Sequence, residues 1–112
     1  MSSEEKTPCL VVYDVVEDRC RQRVSEACLD YGLERFQMSA FWGRLTATRR
    51  REMFLKLTEL LGESAGRILV QPVSQDDVEK RLLLNQRPEE EDGRPPREWP
   101  EPGAPKSTVL KF

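Results

Sequence analysis

Residues 10–16 read Leu-Val-Val-Tyr-Asp-Val-Val, a run of aliphatic and β-branched side chains broken by one carboxylate. An apolar run of this length, with turn-forming residues beyond it, is the pattern of a buried strand, and aspartate is among the residues that strands disfavour. An ionised carboxylate buried without a partner costs several kcal/mol, so Asp14 has to be protonated, paired, placed at the open end of the strand or bound to a cation. A helix-entry or turn-stabilising aspartate is a further reading. Any fold for this chain must provide for Asp14.

The rest of the chain supplies partners for that strand. Residues 1–8 are polar and read as a frayed start, with Pro8 leading into a first strand over residues 9–15. Asp18 then offers a helix N-cap. Cys20, Val24, Ala27, Cys28 and Tyr31 follow at helical spacing, and Gly32 ends the helix as a left-handed cap. Residues 33–38 and 40–45 predict two strands, or one long and sharply bent one, in which Phe36, Met38 and Ala40 share one apolar face against Gln37, Ser39 and Phe41. No glycine or proline separates the two strands, so the turn near Ser39 must be tight.

Thr46 or Thr48 caps a second helix reaching Leu61, with Met53, Phe54, Leu57, Leu60 and Leu61 as its core stripe and Gly62 just beyond. Residues 67–73 form the last strand. Ser74-Gln75-Asp76-Asp77 begins a short helix or turn carrying Val78, Leu82 and Leu83. The order β-α-β-β-α-β over residues 9–85 predicts an α+β, ferredoxin-like sandwich: a four-stranded antiparallel sheet with both helices on one face.

From residue 86 to 106 the chain is dominated by Pro, Glu, Arg and Gly, a composition too poor in apolar surface to offset the entropy of ordering. It reads as a linker. Residues 107–112, Ser-Thr-Val-Leu-Lys-Phe, regain strand propensity and suit addition to an exposed sheet edge of a dimer mate or another protein, or else form a loose end.

With 112 residues and a net charge of −2, the chain is a single domain that does not coat nucleic acid or membrane by bulk charge. Local segregation matters more: residues 19–51 hold eight arginines against Glu26, Asp30 and Glu34, whereas residues 74–92 are predominantly acidic. The absence of histidine excludes imidazole catalysis and His-containing metal sites. Cys9, Cys20 and Cys28 lack paired zinc spacing and read as reduced core residues. No signal segment or membrane-length apolar run is present, which fits a cytoplasmic protein.

A sheet covered on one face leaves the other exposed, and an exposed apolar patch on a small domain marks an interface. Homodimerisation through that face is expected. A two-fold axis would place two copies of Asp14 together, and paired carboxylates tolerate each other when a cation such as Mg²⁺ lies between them. A metal so held would activate water against a phosphodiester. The basic residues point to the same substrate class: Arg49, Arg50 and Arg51 fill the first turn of the second helix, where the dipole disfavours cations. With Arg19, Arg21, Arg23 and Arg44 they form a candidate phosphate-contacting surface.

Tyr13-Asp14-Val15, the arginine-rich helix, Tyr31-Gly32, Phe36-Gln37-Met38-Ser39-Ala40-Phe41, Gly43-Arg44-Leu45 and Gln71-Pro72-Val73 together resemble the Cas-two family of CRISPR-associated adaptation proteins. The resemblance implies a homodimeric ferredoxin-like protein that bridges the CRISPR integrase of the Cas-one family during spacer acquisition. Some members are Mg²⁺-dependent endonucleases on RNA or double-stranded DNA. It further implies Asp14 as the catalytic and metal-ligating residue, one from each chain, with Tyr13, Ser39 and Phe41 shaping the cleft. Two features depart from the family pattern: Trp42 replaces the usual glutamate after Phe41, and the acidic residue before the last strand is missing around Gly66-Arg67. Other readings are a toxin ribonuclease of the related virulence-associated family and a regulatory ligand-binding module, the latter disfavoured by the arginine-rich surface.

Overall fold

The computed structural model describes residues 4–86; residues 87–106 of the expected linker and the expected docking strand over 107–112 lie outside the described residues. The order is β1 (Thr7–Val15), α1 (Asp18–Asp30), β2 (Glu34–Gln37), β3 (Ala40–Leu45), α2 (Ala47–Leu61), β4 (Gly66–Pro72) and α3 (Gln75–Glu79). The strands form one sheet in the order β2-β3-β1-β4 with every neighbouring pair antiparallel. This is the ferredoxin-like arrangement. No helix among the described residues is long and apolar enough to cross a membrane.

The interior strand β1 alternates: Cys9, Val11, Tyr13 and Val15 are buried, whereas Val12 and Asp14 are exposed. The buried set forms one core with Cys20, Val24, Ala27 and Cys28 of α1, Phe41 and Leu45 of β3, and Met53 and Leu57 of α2. Each fully buried aliphatic side chain contributes about 1.5–3 kcal/mol. That core fixes β1 in register between Phe41, opposite Val11 on β3, and Val70, opposite Val11 on β4.

Several local expectations are corrected. Asp18 is not the N-cap: Glu17 holds that position without a side-chain cap, and Asp18 opens α1 and pairs with Arg21. Of the two threonines, Thr46 caps α2, its hydroxyl accepting from the Arg49 amide at 3.1 Å. Phe54 is solvent-exposed and leaves the stripe to Met53 and Leu57. The apolar alternation of Phe36, Met38 and Ala40 also fails. A register shift between Arg35 and Gln37 and the turn at Met38 and Ser39 break it, so Ala40 is buried while Phe36 and Met38 are exposed. Leu82 is exposed past the end of α3, and Leu83 packs inward instead.

The second face of the sheet is not wholly open. Trp42 and Val78 of α3 are buried against each other, with Leu10, Val73 and Leu83 around them, and the Phe36 ring packs at a tilt of 47° against Trp42 with ring centroids 4.6 Å apart. An indole at this position therefore fills a hydrophobic seat beneath α3. What remains exposed on that face is the half carrying Val12, Asp14 and Leu69.

Gly66 permits a close approach of one strand's backbone to the next. It has φ of 155° and lies opposite Val15; a Cβ there would come within 2.6 Å of the Asp14 carbonyl oxygen and 3.0 Å of the Val15 Cα. Both obstacles are backbone and have no room to shift. Gly66→Ala is expected to lower unfolding free energy by about 2–4 kcal/mol in urea titrations. An unchanged midpoint would show that β4 does not meet β1 this closely.

Candidate functional site

Asp14 projects from the exposed face of β1, one residue before the strand ends, directly opposite Arg67 of β4. Of the provisions open to this carboxylate, the fold uses exposure near the end of the strand. The segment carrying it is held from three directions. On the β4 side, the Val16 amide donates to the Ala65 carbonyl at 3.1 Å. From α1, Arg21 Nη1 donates to the Val15 carbonyl at 2.9 Å. From the β2–β3 turn, the Ser39 carbonyl accepts from the Tyr13 amide at 3.0 Å.

Tyr13, Ser39 and Phe41 do come together. The Tyr13 ring stacks on Phe41 with centroids 6.2 Å apart, and its hydroxyl donates to the Met38 carbonyl at 3.4 Å. Burial pushes the Tyr13 phenol up from its ordinary pKa. Its hydroxyl is therefore a hydrogen-bond donor at neutral pH. Tyr13 and Phe41 lie on the helix-covered side of the sheet, however, whereas Asp14 lies on the other; they brace the strand from behind and do not line a common wall with the carboxylate.

Two residues that pattern reading did not single out complete this brace. Arg35 donates from Nη1 to the Met38 carbonyl at 3.0 Å and from Nη2 to Ser25 Oγ at 2.6 Å, with its guanidinium 4.9 Å above the Phe41 ring. Ser25 is the buried polar residue in the core stripe of α1. A serine between Val24 and Ala27 on a helix's inward face was the available signal, since a buried hydroxyl requires a partner.

The arginines do not form one surface. α1 begins where β1 ends and α2 begins where the antiparallel β3 ends, so the helix starts lie at opposite ends of the helical layer. Arg49 sits over the Tyr31 ring at the far end of α1, 4.5 Å from its centroid, which fixes the same antiparallel placement. Thirteen residues of helix separate the clusters by about 20 Å. Arg19 and Arg23 are exposed at the Asp14 end, while Arg21 is committed to Asp18 and the end of β1. At the other end Arg49 also meets Glu52 at 2.9 Å, Arg50 meets the Thr7 hydroxyl at 3.3 Å, and Arg51 is exposed. Arg44 contacts Gln75 of α3 on the opposite face and is separate from both clusters.

Cysteine chemistry is remote from this site. All three thiols are free and buried, and burial pushes Cys9 up to about 11 and Cys28 up to about 12, so neither is a thiolate at neutral pH. Among the described residues, no group of three or more Cys, Asp or Glu side chains is placed to hold a metal ion.

The comparisons agree with this architecture. Residues 8–81 match the family model described as CRISPR associated protein Cas2. The chain is 46% identical over 69 residues to a CRISPR-associated endoribonuclease Cas2 of Desulforudis audaxviator, covering 62% of this chain and 65% of that protein. It is 46% identical over 79 residues to a protein named CRISPR-associated endoribonuclease Cas2 2 from Chloroflexus aurantiacus, covering 70% and 93%. A Cas1/Cas2 endonuclease fusion of Thermoproteus tenax is 30% identical over 79 residues, covering 70% of this chain and 30% of the fusion. Among solved structures, a hypothetical protein from Thermus thermophilus superposes with a TM-score of 0.58 at 26% identity, covering 62% of this chain and 84% of that one. The match spans the Asp14 strand, both arginine-bearing helices, β4 and α3, and the chain belongs to the Cas2 family of CRISPR-associated proteins.

Proposed function

We propose that this chain acts in CRISPR adaptation as a homodimer that binds nucleic acid and bridges a Cas1-type integrase, with a pair of Asp14 carboxylates as its Mg²⁺ site. The observation that carries this reading is the half-covered sheet face. Val12, Leu69 and Phe36 are 40, 54 and 40% exposed there, beside an aspartate near the end of the central strand. Large apolar side chains left in water around a carboxylate suit a second copy of the same surface better than they suit solvent. The name of the Thermoproteus relative joins Cas1 and Cas2 in one polypeptide, which supports the integrase as partner. Family membership favours this reading over a virulence-associated toxin ribonuclease or a regulatory module.

The donor set fits Mg²⁺, which is held through one or two carboxylates and otherwise keeps water or phosphate oxygens, and a second chain would supply the second carboxylate. So bound, the ion would polarise a phosphodiester and lower the pKa of a coordinated water. The chain's own contribution is orientation: Gly66, Arg21 and the Tyr13–Ser39 hydrogen bond fix the backbone on both sides of Asp14. Arg19 and Arg23 flank that end for phosphate contact. Endonuclease activity follows if a phosphodiester reaches the pair, and the relatives' names, endoribonuclease in both cases, support RNA as the substrate.

Leu69→Asp should convert the dimer to monomer in sedimentation equilibrium, since it places a charge within an apolar contact at a cost of about 2–4 kcal/mol. A dimer that persists unchanged would move the interface elsewhere. Asp14→Asn should abolish Mg²⁺-dependent cleavage of RNA and duplex DNA while leaving the dimer intact; undiminished cleavage would remove Asp14 from the chemistry. Changing Arg49, Arg50 and Arg51 together to Ala should weaken duplex binding most at low salt and reduce the slope of log affinity against log salt by about two to three. Equal affinity at every salt concentration would dismiss that turn of α2 as a phosphate contact.

A further inference from the structure

The first turn of α2 already holds an anion. Glu4 accepts hydrogen bonds from the Thr48 amide to one carboxylate oxygen at 2.8 Å and from the Thr48 hydroxyl to the other at 2.9 Å. Thr46 caps the helix through the Arg49 amide and α2 has no acidic residue in its own first turn, so Glu4 brings the negative charge from outside the helix. A second tie, from Arg50 to the Thr7 hydroxyl, anchors the same N-terminal stretch. Hydrogen bonds from Thr48, with a smaller contribution from the Arg51 charge, hold the Glu4 carboxyl below the usual carboxylate range. Glu4 also precedes residues 8–81, so the contact is not part of the matched family region.

We propose that Glu4 is an autoinhibitory contact: its carboxylate occupies the Thr48 donors on the first turn of α2, beside the run Arg49, Arg50 and Arg51, and must be displaced before a nucleic-acid phosphate can take its place. This rests on the reading of those arginines as a phosphate-contacting group. A carboxylate satisfies the Thr48 donors as a phosphate oxygen would, and it is carried on a short, exposed stretch preceding β1. Its release leaves the core of the domain untouched, because Glu4 is exposed and, among the described residues, its hydrogen bonds go to the helix end. Nucleic acid would thus compete with a tethered acidic residue, and weak or brief encounters would be rejected.

The full chain, Glu4→Gln and Glu4→Ala are titrated with a fluorescent DNA duplex across a range of salt, and the melting temperature of each is recorded. Glutamine keeps an oxygen for the Thr48 amide and removes the charge. Glu4→Gln should bind the duplex several-fold tighter and steepen the slope of log affinity against log salt by about one, with Glu4→Ala behaving likewise. If Glu4 only caps the helix, Ala lowers the melting temperature and neither variant gains affinity, which overturns the proposal. The triple alanine change at Arg49, Arg50 and Arg51, made in both the parent and the Glu4→Gln chain, separates the two ideas. If it weakens parental binding and Glu4→Gln shows no gain, Glu4 alone is dismissed. If it leaves binding unchanged in both chains, the arginine reading fails and the Glu4 proposal fails with it.

Discussion

The two-sided bonding of β1 is the constraint on which the rest depends. As an interior strand it pairs with β3 on one side and β4 on the other, and its period of two commits Cys9, Val11, Tyr13 and Val15 to the helical core. Asp14 is thereby committed to the opposite face. A slip of one residue would bury the carboxylate and expose the core set, so the core's burial energy holds Asp14 in place. Gly66 adds the local condition, since only a residue without a Cβ lets β4 reach the Asp14 carbonyl.

The antiparallel packing of α1 and α2 then distributes the charge. Each helix starts with arginines, but the starts lie at opposite ends of the layer, one beside the end of β1 and the other beside its beginning. A single phosphate cannot meet both clusters across about 20 Å, whereas an extended polyanion can. This makes the arrangement more suitable for a length of nucleic acid than for a small anion. Trp42 works in the opposite sense on the far face, closing part of the sheet under α3 and leaving the Asp14 half exposed.

Much of this was legible in the chain before its structure. The strand run, the helical stripes of Cys20 through Cys28 and of Met53 and Leu57, and the glycines at helix ends all carry strong local periodicity, and each emerged as an element. The β2–β3 hairpin and its tight turn near Ser39 were legible, but its face alternation was not, because a register irregularity and a two-residue turn reset it without a glycine or proline to mark them. The Asp18 cap failed because the helix takes Glu17 as its N-cap, so Asp18 is already the first helical residue and pairs with Arg21 one turn on. Arg35 was hidden because its partners, Ser25 and the Met38 carbonyl, are set by tertiary packing. Helical periodicity likewise says nothing about which end of one helix faces which end of the next, so the separation of the arginine clusters emerged only from the fold.

As proposed above, two chains would complete one metal site through Asp14. Titrating the dimer with Mn²⁺ as a paramagnetic substitute for Mg²⁺, and counting bound ions by electron paramagnetic resonance, tests it most directly. The expected result is one specifically bound ion for every two chains and none in the Asp14→Asn dimer. One ion for every chain, or specific binding retained by the Asn variant, would contradict it.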